Sequence, residues 1–382
     1  MAKILHTSDW HLGKRLLSEP LHEAHTLFVD WLCDEVCVKE KPDVIIIAGD
    51  IFDRAVPTTE AIELFEETLA RLHKLQVKVF ITAGNHDSRV RLGTNSRFME
   101  LSDIHFRTRI NQITQPVILR EDDFDLYIYG IPYLEPDVDA GDGDNQFQAD
   151  PNQHAVMNVA ITRAKEHFAQ EGGSRKSHMV VAAHSWIVGS IGCESERNTK
   201  LGNLGQVEAS IFDGITYVAM GHLHGAQAVK HNGTSHIRYS GSPIPYSFSE
   251  KDHLKQVITC EINKDGLVES SISSHPVPQI RKMRELRGRS EDLLSDKTPP
   301  SDDWVKIILT DADTPMNIFD TLKRKFPHLL EMIPEKVIQG IIENRNQDEL
   351  LHKLTPEDVT RRFVEKLIGE ATAEGISEAI DR

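Results

Sequence analysis

Apolar runs that break off sharply into polar residues recur along the first two thirds of the chain. Val77 to Thr82 reads Val-Lys-Val-Phe-Ile-Thr and is followed by Ala-Gly-Asn-His-Asp-Ser. This is the pattern of a buried strand whose carboxyl end opens into a polar loop. Ile4 to Thr7 ends likewise in Ser8-Asp9-Trp10-His11, and the Asp43–Ala48 run ends in Gly49-Asp50, with Asp53 close behind. Between these strands the apolar spacing turns helical. Leu27, Phe28, Trp31, Leu32 and Val36 mark a helix over His22–Lys39. Leu64, Phe65, Leu69 and Leu72 mark another over Thr58–Leu75, with Thr58 or Thr59 as its cap. The order strand, helix, strand, helix, strand predicts a parallel sheet, with chemistry gathered outside the strands' carboxyl ends.

The pattern continues. A short helix is predicted over Thr94–Leu101 and a longer one over Asn152–Gln170, with strands at Val117–Leu119, Leu126–Gly130, His178–Ala183 and Ile215–Met220. The last two run into His184 and into Gly221-His222-Leu223-His224. Alternating segments at Ala226–Val229, Ser235–Ser240, Gln256–Ile262 and Val268–Pro276 predict an antiparallel second sheet. Gly141–Asp144 reads as a surface loop, and Gly172-Gly173-Ser174 breaks the long helix.

The composition shifts near His275. A basic stretch, Arg281–Arg289, reads as a solvated face or a DNA contact. A polar loop over Ser290–Asp303 precedes a strand at Trp304–Thr310. Thr314-Pro315 predicts a helix start, Ile318, Phe319, Leu322 and Phe326 its apolar face, and Glu335–Ile342 a returning strand. Together these make a small separate α/β unit. Thr355-Pro356-Glu357-Asp358 opens a final pair of amphipathic helices, with Val359, Phe363 and Leu367 on one face. These would pack on this chain's own body or on a partner.

Charge narrows the reading. With 382 residues and a formal net charge of −16, the chain does not hold nucleic acid by bulk charge. An anionic substrate would need metals, local basic patches or a partner. Cys33, Cys37, Cys193 and Cys260 form no CxxC pair, and the expected setting is reducing and cytoplasmic. The amino terminus carries no apolar leader, and no run is long enough to cross a bilayer. The Gly172 region has no Gly-Lys-Ser/Thr at phosphate-loop spacing.

The strand ends carry the chemistry. Asp-x-His alone is usually a polar turn, and His-x-His alone is as often a core or surface pair. Acid, amide and imidazole at successive strand ends are harder to dismiss. Asp9, His11, Asp50, Asn85, His184, His222 and His224 suffice for two metal ions sharing one carboxylate. The mixed donors suit Mn, Fe or Zn better than Mg or Ca. Such a pair clamps a phosphate and activates water. His86 is then left beside the site as a proton donor to the leaving alkoxide, or to stabilise charge at phosphorus.

In this order, Asp-x-His, Gly-Asp-x-x-Asp, Gly-Asn-His-Asp, a lone His and Gly-His-x-His resemble the calcineurin-like metallophosphoesterases. His6–Gly13, Gly84–Ser88 and Gly241-Ser242-Pro243-Ile244-Pro245 further resemble the bacterial nuclease subunits that work with an SMC-like ATPase. The resemblance implies a two-sheet α/β sandwich flanked by helices over 1–275, a small α/β DNA-capping domain over 276–350, and C-terminal helices over 351–382 that grip the ATPase subunit. It implies one Mn²⁺ on Asp9, His11, Asp50 and His224, a second on Asp50, Asn85, His184 and His222, and His86 as the catalytic residue. It implies a homodimer within a heterotetramer, acting on DNA as a 3′–5′ double-strand exonuclease and single-strand endonuclease in repair, replication and recombination. Where many archaeal and eukaryotic relatives carry a second histidine, this chain carries Asp53. Two other readings share the fold: a phosphodiesterase of small nucleotides, which does not need the unit after His275, and a scaffold without metals, which would not keep all seven ligands.

Overall fold

The computed structural model describes residues 1–141, 147–172, 175–196 and 205–337. The chain forms two compact units, Met1–Lys282 and one that begins at Met283.

In the first unit the strands and helices alternate as β1 (Ala2–Thr7), α1 (His22–Trp31), β2 (Val44–Ala48), α2 (Thr59–Lys74), β3 (Lys78–Thr82) and β4 (Ile104–Arg107). Then come β5 (Val117–Arg120), β6 (Asp125–Ile131), α3 (Gln153–Glu171), β7 (Ser177–His184), β8 (Tyr217–Gly221), β9 (Gln227–His231), β10 (Thr234–Tyr239), β11 (Gln256–Asn263) and β12 (Gly266–Pro276). The α1 helix runs on through a π-helical turn at Leu32–Cys37 to Glu40, which accounts for the full helical pattern over His22–Lys39. Thr58 and Asn152 cap α2 and α3 through their side chains, each accepting from a backbone N–H three residues on.

Two six-stranded sheets result, in the orders β12-β11-β1-β2-β3-β4 and β9-β10-β8-β7-β6-β5. Strands β1 to β4 are parallel, as are β6, β7, β8 and β10. The antiparallel sheet expected from the four alternating segments does not exist as such. The β9–β10 hairpin extends the second sheet, while β11–β12 returns to the first, beside β1. Alternation reports which face of a strand is buried, not which neighbour it pairs with.

The sheets stack face to face. In β2, Val44 and Ile46 join Ile4, Phe80, Ile128, Val180 and Ala219 in a core between the sheets. Ile45 and Ile47, one residue out of phase, join Phe28, Phe65 and Leu72 under the helices. This is why the strand reads as an unbroken apolar run. α3 covers the second sheet's outer face through Val156, Met157, Ala160 and Ile161. The layers run helix, sheet, sheet, helix, and the carboxyl ends of β1, β2, β3, β7 and β8 meet at one rim. Cys33, Cys37 and Cys260 are buried and all four cysteines are free thiols.

In the second unit Met283–Gly288, Trp304–Leu309 and Leu329–Pro334 form a parallel three-stranded sheet with Trp304–Leu309 in the middle. Its helix spans Ile318–Lys325 and buries Ile318 and Leu322 with Val305, Ile307 and Phe326. Three expectations need correction. The helix starts at Ile318 rather than Thr314, because Asn317 adopts a left-handed conformation (φ 60°) just ahead of it. The returning strand is Leu329–Pro334, ending where Glu335–Ile342 was expected to begin. The segment after Arg289 is not all loop: Ser290–Leu294 is a helix, pinned where the Asp311 carboxylate accepts from Ser290 N–H and Oγ and where Leu293 enters the core. The expected helices beyond Thr355, the strand beyond Val337 and most of the Gly141–Asp144 loop lie outside the described residues. No helix among the described residues is long and apolar enough to cross a membrane.

Candidate metal centre

The rim where the two sheets meet carries every strand-end residue singled out from the sequence. Asp9 and His11 follow β1, Asp50 follows β2, Asn85 and His86 follow β3, His184 ends β7, and His222 and His224 follow β8. Asp9, His11, Asp50, His184, His222 and His224 are each no more than 3% exposed. One ligand atom from each of Asp9, His11 and His224 lies within 4.8 Å of the others, and so do those of Asp9, Asp50 and His184.

Asp50 stands between the two groups. Its Oδ2 is 3.5 Å from His11 Nε2 and 3.4 Å from His184 Nε2, while Oδ1 accepts from the His86 backbone N–H at 2.8 Å. On one side the Nε2 atoms of His11 and His224 face each other at 3.2 Å. On the other, Asn85 Oδ1 sits 3.0 Å from His184 Nε2 and 3.1 Å from His222 Nδ1.

The backbone is bent to achieve this. Asp9, His11 and Asp50 take left-handed conformations (φ 54°, 45° and 52°), and His222 sits at φ 99°. Side-chain-bearing residues rarely hold such angles, and strain of this kind concentrates at functional sites. The strands also need bare backbone to converge. A Cβ on Gly84 would lie 2.1 Å from Asp50 Oδ1, and one on Gly221 would lie 1.9 Å from the Ala48 carbonyl oxygen. The sequence motifs place glycine at both positions for want of room.

The electrostatics fit divalent cations. Burial pushes Asp9 up to about 6, with Asp50 adding to it. Burial works against Asp50 too, yet His184 and His11 hold it well below the usual carboxylate range. Burial lowers His11 and His222 to about 3, so their lone pairs are available. His184 is driven the other way, to about 9, because the Asp50 charge outweighs its burial. His222 Nε2 is buried with no hydrogen-bond partner. A buried orphan nitrogen is costly unless something occupies it. Two carboxylates inside a ring of imidazoles form a donor set that suits a transition-metal pair.

His86 is placed beside this cluster. Its Nδ1 donates to the Asp53 backbone carbonyl at 2.8 Å, which makes Nε2 the basic nitrogen. The ring lies edge-on to His11 at 4.6 Å between centroids. Asp87 has a different task. Its carboxylate accepts from the backbone N–H groups of Ile51, Phe52 and Gly84 at 3.0–3.1 Å and braces the Asp50 loop. Asp53 pairs with Lys14 at 2.7 Å and faces His11 Nδ1 at 3.5 Å.

A layer behind His11 and His224 has no motif to announce it. Tyr246 donates to the backbone carbonyls of Asp9 and Trp10 and lies edge-on to His11 and His224, at 5.2 and 5.3 Å. Ser195, Glu196, Glu250 and Lys255 surround His224. The only advance sign is the Gly241–Pro245 motif, which sits just ahead of Tyr246 and Glu250 in the chain.

The chain belongs to the calcineurin-like phosphoesterase family, whose model matches residues 2–226. A second family model, described as the Type 5 capsule protein repressor C-terminal domain, matches residues 279–367. The SbcD subunit of the SbcCD nuclease from Staphylococcus saprophyticus is similar from end to end: 28% identical over 384 residues, covering 100% of this chain and 97% of that protein. Among solved structures, TT1561 of Thermus thermophilus aligns at a TM-score of 0.42 and 12% identity, over 72% of this chain and 99% of that one.

Proposed function

We propose that this phosphoesterase is a metal-dependent DNA nuclease that hydrolyses phosphodiester bonds at DNA ends and hairpins. The observation that carries the reading is Asp50: one carboxylate oxygen lies within 3.5 Å of an imidazole nitrogen on each side of the centre. Asp9, His11, Asp50 and His224 would hold one Mn²⁺, and Asp50, Asn85, His184 and His222 the other. Bound there, the cations would polarise the phosphate, lower the pKa of a water molecule and offset charge on the leaving oxygen.

The chain's own residues supply the rest. The Asp53 carbonyl fixes the His86 tautomer, so a protonated His86 delivers its Nε2 proton to the leaving alkoxide. The buried Tyr246 ring, edge-on to His11 and His224, closes the back of the site. The bent backbone at Asp9, Asp50 and His222 preorganises the ligands before substrate arrives.

The similarity to an SbcD nuclease subunit supports a wider assignment: a heterotetramer with the SbcC ATPase, double-strand exonuclease (3′–5′) and single-strand endonuclease activity, and a cytoplasmic role in repair, replication and recombination. Residues 1–275 would be the nuclease domain, 276–350 the DNA-capping domain and 351–382 the SbcC-binding segment. The net charge of −16 suits a subunit that borrows DNA affinity from its partner. A homodimer would form through the phosphoesterase helices, where a groove of about 560 Å³ is lined by Val56, Ile62, Phe65 and Met99.

The test is cleavage of a hairpin-ended duplex by the full chain with Mn²⁺, beside hydrolysis of bis-p-nitrophenyl phosphate. The His86→Ala variant should lose about a hundredfold or more on DNA. It should lose less on the nitrophenyl ester, whose leaving group needs no proton. Full activity of His86→Ala on DNA would sink the role given to His86.

A further inference from the structure

Behind His224 lies a buried chain of hydrogen bonds that the nuclease reading does not use. Ser195 Oγ is 2.6 Å from His224 Nδ1 and 2.5 Å from Glu250 Oε1. Glu250 and Lys255 form an ion pair whose side chains are 0% and 2% exposed. The Glu250 carboxylate also accepts from Tyr246 N–H at 3.1 Å. The Lys255 ammonium and the Tyr246 N–H can only donate. Against the cost of burial, Lys255 beside it holds Glu250 well below the usual carboxylate range, so the carboxylate is ionised and can only accept.

The proton positions follow. A hydroxyl has one hydrogen. In the short contact to Glu250, that hydrogen belongs to Ser195 and is spent there. The equally short contact to His224 must therefore be bridged by a proton on Nδ1. This leaves the lone pair on Nε2, the nitrogen that faces His11. The main chain of His224 is clamped as well: Glu196 accepts from its N–H at 2.7 Å, and Lys255 Nζ donates to its carbonyl at 2.9 Å. Lys255 also donates to Ser242 Oγ at 2.8 Å, which ties the Gly241–Pro245 motif into the same clamp.

We propose that Ser195 and Glu250 are positioning residues for His224, a hydroxyl relay that fixes its tautomer and ring orientation for metal binding at the Asp9–His11–His224 position. The proposal rests on the two-metal reading above and adds an asymmetry to it. Among the described residues, no such relay backs His184, whose Nδ1 rests on the Ala48 carbonyl at 2.9 Å. Loss of the relay should therefore weaken one bound ion and spare the other.

The test is Mn²⁺ titration of the full chain by calorimetry, with thermal unfolding in chelator as the control for folding. Ser195→Ala cuts the relay without stranding a buried charge. It should weaken one of two Mn²⁺ ions by about tenfold to a hundredfold and leave the other unchanged. Ser195→Thr, which keeps the hydroxyl, should restore binding. Glu250→Gln, which leaves Lys255 unpaired, is the harsher second variant and should weaken the same ion. Two unchanged affinities in Ser195→Ala would overturn the relay, as would equal weakening of both ions. A wild-type chain that binds no Mn²⁺ would overturn the metal reading itself and this proposal with it.

Discussion

The two sides of the proposed metal centre are held by different means. His11 and His224 lean on side chains: Asp53 with Lys14 behind one, Ser195 and Glu250 with Lys255 behind the other, and the Tyr246 ring against both. His184 leans on main chain, its Nδ1 meeting the Ala48 carbonyl, while His222 is fixed at its own backbone N–H, which donates to the Asp9 carboxylate at 2.9 Å. A ligand backed by side chains is adjustable by single substitutions that leave the fold alone. A ligand backed by main chain is as secure as the seam between the sheets, and fails only when that seam does.

The largest effect should come from removing what both sides share. Asp50→Ala should lower Mn²⁺-dependent hydrolysis of bis-p-nitrophenyl phosphate by about 10⁴-fold, or roughly 5.5 kcal/mol of transition-state stabilisation. Steady-state rates at saturating Mn²⁺ would check it. A loss below tenfold would mean that Asp50 does not join the two sides.

Next, the main-chain side should break through its glycine. Gly221→Ala places a methyl 1.9 Å from the Ala48 carbonyl and 2.8 Å from His184 Nδ1, so the strand ends must part. We expect about 3 kcal/mol of lost stability in urea unfolding, together with weakened metal binding. Wild-type stability would show that the seam is looser than drawn.

The same seam carries a pH dependence. His6 bridges the sheets through Tyr217 Oη at 3.0 Å and the Met220 carbonyl at 3.2 Å, and burial lowers it to about 3. The unfolded chain, with an ordinary imidazole, takes up the proton first as pH falls. The contribution is thus fully present above about pH 6.5 and is lost between about 6.5 and 3. From pH 6.5 to 4.5 this amounts to about 2 kcal/mol. Denaturant unfolding of wild type and His6→Asn in chelator should show profiles that converge over this range. Parallel profiles would mean that His6 does not titrate on unfolding.

The smallest effect should fall on the side-chain half. Tyr246→Phe keeps the ring and removes the donor to the Asp9 and Trp10 carbonyls, at a cost of about 1 kcal/mol in urea unfolding. Hydrolysis should change little. A rate loss beyond tenfold would give the hydroxyl a direct part in the reaction.

This contrast also explains how much can be read from the sequence. Asp9, Asp50, Asn85, His86 and His222 stand immediately beyond apolar strands, so the pattern that defines the fold also locates them. Ser195, Glu250 and Lys255 sit where no periodic element announces them, and a buried charge in a loop looks like any exposed one. Asp87 is legible as a strand-end acid, but its bond to three backbone N–H groups appears only once the Asp50 loop folds over it. The four late alternating segments are strands as expected but do not make one sheet, since Gln256–Asn263 pairs with Ala2–Thr7 from the far end of the unit. The short helix at Ser290–Leu294 leaves no periodic trace because its single buried apolar anchor, Leu293, makes no period.

If Asp50 joins two metal ions, electron paramagnetic resonance of the full chain titrated with Mn²⁺ should show an exchange-coupled pair at two equivalents, lost in Asp50→Ala, where only isolated ions should remain. A wild-type spectrum of isolated, uncoupled Mn²⁺ at saturation would contradict that role for Asp50.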